Sequence, residues 1–204
     1  MAERATEVVD VVFAVAGTAL PEDYHFALLH EVARCLPWLA ADPEAGIHPL
    51  RGAPTDYGVM LLPRRTKLVL RLPAKRVPDA QALAGHELEV EGRKLSVGTS
   101  SVRALEPYGA LYAHLVAGDG AEEGIFLEGI AARLAALRAP CEPVCGRRRS
   151  VRAGEREIVG FSLMLHDLTA EHSLRIQRSG IGEERKLGCG IFVPHRLASA
   201  VGSA

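Results

Sequence analysis

The chain has 204 residues, of which 48% are hydrophobic and 24% charged, so its composition is that of a globular protein rather than a disordered one. The formal net charge is −1, which argues against indiscriminate nucleic-acid binding, but the largest basic excess lies in the last third and permits a local phosphate site. No apolar run approaches the roughly 20 residues that cross a bilayer, and the cysteines are few and scattered, so we expect a cytoplasmic protein without a membrane segment.

The first half of the chain alternates strands and helices. A β-branched run over 7–16 predicts a buried strand, and a helix is expected from Pro21 until Pro37 stops it. Further along, the pattern predicts strands over 58–62 and 67–72, a short helix over 78–84, and a fourth, edge strand over 94–97. The predicted order is strand, helix, strand, strand, helix, strand.

The second half repeats this order without repeating the sequence. The predicted elements are a strand over 110–116, a helix over 122–138, a strand pair over 147–152 and 157–165 around Ala153-Gly154, a helix over 169–178 with Thr169 as its N-cap, and a last strand over 190–193. Two βαββαβ units predict an α+β protein of two tandem ferredoxin-like folds, in domains 1–106 and 107–204, with a C-terminal glycine-rich loop.

That loop lies before the last strand, where Gly180, Gly182, Gly188 and Gly190 enclose Arg185 and Lys186. Glycine permits positive φ and close approach of a ligand, and successive amides of such a loop can form a nest for an anion. Walker and dinucleotide-binding patterns are absent, because no Gly-Lys-Ser/Thr follows and the loop leads into a strand. The loop therefore predicts contact with phosphate; a tight structural connection is the alternative.

The spacing of these glycines resembles a known C-terminal signature. The pattern over 180–190 is glycine, an apolar residue and glycine, then five residues, then glycine, any residue and glycine. Together with the following Phe192-Val193-Pro194-His195-Arg196, it resembles the C-terminal signature of the CRISPR-associated RAMP endoribonucleases, which cut precursor CRISPR RNA within repeats. The segments Leu36-Pro37-Trp38-Leu39, Gly46-Ile47-His48-Pro49 and Arg64-Arg65-Thr66-Lys67-Leu68 look most like the myxobacterial-type branch. The resemblance implies the same pair of ferredoxin-like folds.

The resemblance also implies a reaction that needs neither metal nor cofactor. RNA carries its own nucleophile, since deprotonation of a 2′-OH lets it attack the adjacent phosphate and leave a 2′,3′-cyclic phosphate and a 5′-OH. Family members place the catalytic histidine on or just ahead of the first helix, which here means His30 or His25, with Tyr24 as a helper. His30 lies beside Arg34 on the polar side and His25 lies at the helix mouth on the apolar face, so both remain candidates.

Basic residues complete the predicted site. In the family a second-half hairpin grips the repeat stem-loop, which implies an RNA-binding set of Arg147, Arg148, Arg149, Arg178, Ser179, Gly180, Gly182, Arg185, Lys186, Gly188 and Gly190. The implied partners are precursor CRISPR RNA and the backbone and large subunits of a CRISPR effector complex. The alternative function is a non-catalytic CRISPR-RNA-binding subunit. No metal site is predicted, because Cys141 and Cys145 lack a second ligand pair at zinc-site spacing.

Overall fold

The computed structural model describes residues 7–118 and 122–195. The chain forms two compact units. The first unit consists of the chain up to Leu105 together with Ser150–Ile158 and Glu184–Cys189. The second unit consists of Glu106–Arg149, Val159–Glu183 and the chain from Gly190. The domain boundary between residues 106 and 107 stays a prediction. Within the described ranges, no helix is both long and apolar enough to cross a membrane.

Five α-helices and twelve strands alternate along the chain. The helices are α1 (His25–Cys35), α2 (Pro37–Ala41), α3 (Val77–Gln81), α4 (Glu123–Ala136) and α5 (Ala170–Ser179), and short 3-10 turns cover Ala74–Arg76 and Arg185–Leu187. The strands are β1 (Val8–Ala16), β2 (Ala19–Pro21), β3 (Gly46–Ile47), β4 (Ala53–Pro54), β5 (Val59–Leu61), β6 (Lys67–Pro73), β7 (Glu87–Val90), β8 (Arg93–Ala104), β9 (Leu111–Ala117), β10 (Glu142–Ala153), β11 (Arg156–His166) and β12 (Val193–Pro194). These counts refer to the described ranges only.

The main sheet of the first unit has the order β3-β6-β1-β8-β7, with β1 antiparallel to both β6 and β8. The other four strands of this sheet and the helices α1 and α3 follow one another as β1-α1-β3-β6-α3-β8, which is the ferredoxin-like order; β7, α2 and the separate sheet of β2, β4 and β5 are additions to it. This arrangement confirms the predicted α+β fold class.

Two predicted strand positions in this sheet were wrong. The strand predicted over 58–62 is β5, which joins β2 and β4 in a separate three-stranded sheet, while the two-residue β3 pairs with β6. The strand predicted over 94–97 is the long β8, which is not an edge because β7 pairs along its outer side. Pairing of β2 with β5 also keeps Ala19–Pro21 extended, so that α1 begins at His25 rather than Pro21.

Alternation along β1 separates an apolar core from a charged position. Val9, Val11 and Phe13 are buried in the same core as Leu28 and Val32 of α1. Successive side chains of a strand point to opposite faces, so Asp10 lies on the other face of the sheet. The placement of this single carboxylate becomes important for the site described below.

The second unit is built on a sheet of order β10-β11-β9-β12, and the chain order β9-α4-β10-β11-α5-β12 is again ferredoxin-like. Phe126 and Ile130 of α4 and Ile176 of α5 are buried against Leu111 and Phe161 of the sheet. The last strand is shorter and begins later than the predicted strand over 190–193, since only Val193 and Pro194 pair with β9.

Local signals account for the ends of two second-half elements. Thr169 is the N-cap of α5, and its Oγ1 accepts a hydrogen bond from the amide of His172 at 3.2 Å, as predicted. Gly154 lies in the turn between β10 and β11 with φ +65°, a conformation that favours glycine. These ends therefore follow from single residue types in the sequence.

Candidate functional site

The candidate site of the first unit begins at the start of α1. Tyr24 is only 3% exposed, and its hydroxyl oxygen accepts a hydrogen bond from the Leu50 amide at 2.7 Å. Burial raises the pKa of Tyr24 well above its ordinary value, so the phenol stays protonated. The His25 ring stacks on the Tyr24 ring with the centroids 4.0 Å apart. Tyr24 therefore supports His25 from within the protein, and its hydroxyl is directed away from solvent.

The two candidate histidines differ in exposure as the helical spacing predicts. His30 is exposed, and its ring packs against Phe26 with the centroids 4.4 Å apart. His25 is half-buried at the first helical position. One turn beyond His30, Arg34 forms an ion pair with Glu31 at 2.9 Å. The His30 imidazole is therefore exposed to solvent, whereas the His25 ring is partly covered.

The glycine-rich segment is compact in the first unit. Gly188 has φ +84° and Glu184 has φ +61°, so the chain turns tightly around the 3-10 turn Arg185–Leu187. The amides of Leu187 and Cys189 both donate to the Glu184 carbonyl, and the Gly188 amide donates to the Arg185 carbonyl. These three amides are already used, so the anion nest expected here does not include them. Any phosphate contact falls to the side chains and to the remaining amides.

The two cations of this segment have different surroundings. Arg185 is half-buried, and burial together with the nearby charge of Arg71 lowers its pKa to about 10, which leaves it charged at neutral pH. The Lys186 ammonium donates to the Ala40 carbonyl at 2.7 Å, near the C-terminal end of α2. The turn that carries both residues contacts α1. The part of the predicted loop that carries Arg185 and Lys186 is therefore a neighbour of the predicted histidine helix within the first unit.

Two further arginines, which the sequence did not assign to the site, lie on the hairpin tip Ser150–Ile158. Arg152 faces Asp23 at 3.5 Å, and Arg156 forms an ion pair with Glu184 at 2.9 Å. Both guanidinium groups are more than 70% exposed. Arg152 therefore stands beside the start of α1 and Arg156 beside the glycine-rich segment. The available signal was the run of arginines that continues through the predicted hairpin turn.

A buried ionic network lies on the face of the sheet opposite the apolar core. The Asp10 carboxylate accepts hydrogen bonds from Arg71 at 2.8 and 3.1 Å, and His48 Nε2 lies 3.2 Å from its Oδ1. The mostly exposed Arg103 approaches at 3.4 Å. Burial alone would raise the pKa of Asp10, but the hydrogen bonds from His48 and Arg71, together with the Arg71 charge, outweigh it and hold this pKa far below its usual range.

Burial of His48 favours its neutral form. His48 is 8% exposed, and burial, together with the charge of Arg71, lowers its pKa despite the neighbouring Asp10 carboxylate. This burial removes His48 from contact with a large substrate. The sequence-based site prediction included none of His48, Asp10 and Arg71. The sequence signal for the Asp10–Arg71 pair was one acidic residue within the apolar run of β1 and one basic residue within the apolar run of β6.

In the second unit, the structure leaves Arg147, Arg148 and Ser179 exposed, while Arg149 and Arg178 are half-buried. Gly180, Gly182 and Gly190 all have positive φ. Arg196 lies outside the described residues. Between 7 and 118 and between 122 and 195, no group of three or more His, Cys, Asp or Glu side chains is arranged to hold a metal ion.

Close backbone packing explains the requirement for glycine at Gly190. A Cβ atom at this position would lie 2.2 Å from the Ile181 carbonyl oxygen. The Ile181 amide donates to the Gly190 carbonyl, and the Gly190 amide donates to the Leu115 carbonyl at 2.7 Å. Gly190 therefore joins two segments of the second unit.

Comparison with known proteins agrees with the fold and with the sequence signature. A family model described as "Cas6 Crispr" matches residues 9–197. A "CRISPR-associated endonuclease Cas6" of Myxococcus xanthus (strain DK1622) is 39% identical over 196 residues, which are 96% of this chain and 85% of that protein.

Two solved structures share the fold at low sequence identity. A "CRISPR associated protein Cas6" has a TM-score of 0.65 at 10% identity and covers 93% of this chain and 100% of its own. A protein from a "Cas6-related gene from Pyrococcus furiosus" has a TM-score of 0.59 at 9% identity and covers 91% and 98% of the two chains. Since the family model spans nearly the whole sequence and the myxobacterial relative matches almost all of it, this chain belongs to the Cas6 family of CRISPR-associated proteins.

Proposed function

We propose that this protein is an endoribonuclease that cleaves precursor CRISPR RNA within its repeats and releases mature guide RNA. The observation that carries the proposal is the contact between α1, which bears His25 and His30, and the turn that bears Arg185 and Lys186. In phosphodiester cleavage by a 2′-OH, an imidazole can act as the base and a guanidinium can stabilise the charge of the phosphorane. Membership of the Cas6 family supplies the substrate class.

In this proposal an imidazole of α1 removes the proton from the 2′-OH next to the scissile phosphate. The 2′ oxygen then bonds to phosphorus and the bond from phosphorus to the 5′ oxygen breaks. The leaving oxygen takes up a proton from water, and the imidazolium afterwards returns its proton to solvent. The products are a 2′,3′-cyclic phosphate and a 5′-OH. Arg185 stabilises the extra negative charge of the phosphorane, and no metal ion takes part. Histidine suits the base because its ordinary pKa lies near neutral pH.

Between the two candidate bases, exposure favours His30. Its ring is exposed and braced by Phe26, so it can approach a ribose without displacing protein. His25 remains the second candidate because it lies at the mouth of the helix and Tyr24 fixes its ring plane. Arg152, beside the start of the same helix, supplies a further cation for the RNA backbone.

The remaining basic residues hold the repeat. We assign the stem-loop to Arg147, Arg148, Arg149, Arg178 and Ser179, because arginine binds phosphate with two parallel hydrogen bonds and A-form RNA is recognised mainly through its backbone. The glycines at 180, 182, 188 and 190 shape the segment that passes the RNA. Retention of the cleaved stem-loop would deliver the protein, together with its guide RNA, to the backbone and large subunits of a cytoplasmic effector complex.

Cleavage of a labelled repeat RNA in EDTA tests the reaction. The purified protein is expected to cut once, with a 2′,3′-cyclic phosphate on the upstream fragment. His30→Ala is expected to lower the single-turnover rate by a factor of about 10²–10⁴, the usual contribution of a general base. His86→Ala is the matched control, since His86 is also an exposed histidine of the first unit but lies just before β7 rather than on α1.

Each other result of this experiment has a definite meaning. Cleavage that His25→Ala abolishes and His30→Ala preserves assigns the base to His25. Cleavage that survives both changes places the base elsewhere, and dependence on added metal contradicts the metal-free route. Tight binding of the repeat without any cutting supports the alternative function, a non-catalytic CRISPR-RNA-binding subunit.

A further inference from the structure

The segment His48–Leu50 touches three parts of the first unit at successive residues. His48 Nε2 lies 3.2 Å from the Asp10 carboxylate on β1. Pro49 packs over Gly188, where a Cβ atom would lie 3.0 Å from Pro49 Cγ. The Leu50 amide donates to the Tyr24 hydroxyl at 2.7 Å. One short segment therefore joins the sheet, the glycine-rich loop and the start of the histidine helix.

The sheet end of this segment is fixed by buried charge. Asp10 is 3% exposed and Arg71 is 1% exposed, and their side chains share two hydrogen bonds. In a low-dielectric interior such bonds are strong, and any displacement that breaks them leaves a charge buried without its partner. The backbone of His48 is also held, because its amide donates to the Val69 carbonyl at 2.9 Å. His48 is thus attached to the sheet through both its backbone and its side chain.

The segment His48–Leu50 meets the glycine-rich loop at Pro49, through close contact rather than through hydrogen bonds. Gly188 has φ +84° and presents its Cα directly to the Pro49 ring. Arg185, three residues earlier in the same tight turn, is connected to Gly188 by the hydrogen bond from the Gly188 amide to the Arg185 carbonyl. A shift of Pro49 would therefore move Gly188 and, with it, the backbone that carries the Arg185 guanidinium.

We propose that His48 and Pro49 are positioning residues for RNA cleavage: anchored by Asp10, they set the loop that carries Arg185 relative to the helix that carries His25 and His30. This inference rests on the proposed function. Neither residue has to touch RNA for this role, and His48 is too buried to do so. A misplacement of about 1 Å at a catalytic group can lower a rate by about 10²-fold, so a small change at the segment should be visible in the chemical step.

The experiment compares single-turnover cleavage with RNA affinity in matched variants. Gly188→Ala and Pro49→Ala alter the loop contact, and Gly92→Ala is the control, because Gly92 also has positive φ (+74°) but a Cβ there would meet nothing within 4 Å. We expect the first two to lower the rate constant at saturating protein by about 10–100-fold. The Kd of Pro49→Ala for a repeat stem-loop should stay within about threefold of wild type, whereas Gly92→Ala should change neither quantity.

A second pair of variants separates positioning from folding. His48→Leu should lower the rate, and His48→Gln, which retains an amide nitrogen to face Asp10, should restore most of it. Hydrogen exchange of peptides covering 184–189, measured without RNA, should be faster in His48→Leu and Pro49→Ala than in wild type or Gly92→Ala. This readout does not depend on activity.

Three results would overturn the inference. They are a Gly188→Ala rate equal to that of Gly92→Ala, equal losses in His48→Leu and His48→Gln, and loop exchange unchanged in both His48→Leu and Pro49→Ala. If wild-type protein neither binds nor cuts repeat RNA, the proposed function fails separately. The exchange data would then still decide whether the segment holds the loop.

Discussion

Asp10→Asn tests the buried network directly, and its cost follows from the geometry. Asparagine has nearly the same shape as aspartate, so the substitution removes a charge without leaving a cavity. Arg71, only 1% exposed, would lose its bidentate ionic partner, and His48 would lose a charged acceptor. Removing one member of a buried ion pair typically costs about 3–5 kcal/mol. Arg103 adds little to this, because its side chain is 63% exposed and solvated.

Urea denaturation at pH 7 measures the effect, and Asp79→Asn provides the matched control. Asp79 also pairs with an arginine, Arg76, at 3.0 Å, but its side chain is 48% exposed, so its loss should cost at most about 1 kcal/mol. A loss below about 1 kcal/mol for Asp10→Asn would refute the argument that this carboxylate balances a buried charge. Because the pKa of Asp10 is lowered in the folded state, the carboxylate stabilises the fold at pH values above its ordinary pKa of 3.8. As the pH falls below 3.8, the free energy of unfolding should therefore decrease more steeply in wild type than in Asp10→Asn.

Three further predictions concern stability. Burial and the charge of Arg71 lower the pKa of His48 below its ordinary 6.5, so the unfolded state binds more protons than the folded state as the pH falls below that value. The free energy of unfolding should therefore decrease between about pH 7.5 and pH 5.5, by up to about 1.4 kcal/mol per pH unit below 6.5. Denaturation of His48→Gln at the two pH values should lack this decrease. Gly190→Ala should lower the midpoint of thermal unfolding, because its Cβ atom would lie 2.2 Å from the Ile181 carbonyl oxygen. Gly129→Ala, whose Cβ atom would lie in open space on α4, should instead stabilise the protein by about 0.5–1 kcal/mol. Equal midpoints for the two variants would contradict this prediction. Thr169→Ala should cost about 1 kcal/mol in chemical denaturation through loss of the α5 cap, and no loss would show that the capping bond contributes nothing.

The sequence determined the features that depend on neighbours along the chain. Side-chain periodicity located β1, α4, β11 and α5 to within about three residues, and Thr169 marked the start of α5. The glycine spacing located four positions of positive φ and, through its resemblance to a known signature, the family. Helical spacing also placed His30 on the exposed side of α1. Each of these follows from residues within a few positions of one another.

The tertiary structure decided what depends on pairing between distant segments. A two-residue strand such as β3 has no periodicity to detect, and only its bonds to β6 give it the place predicted for β5. Nothing local couples Asp10 with Arg71, since the register of β1 against β6 alone brings them opposite each other. Likewise, the use of loop amides in internal hydrogen bonds and the packing of Pro49 on Gly188 depend on how remote segments meet. Hydrogen bonds and close contacts between remote residues leave no periodic trace in the sequence, which is why these features needed the folded chain.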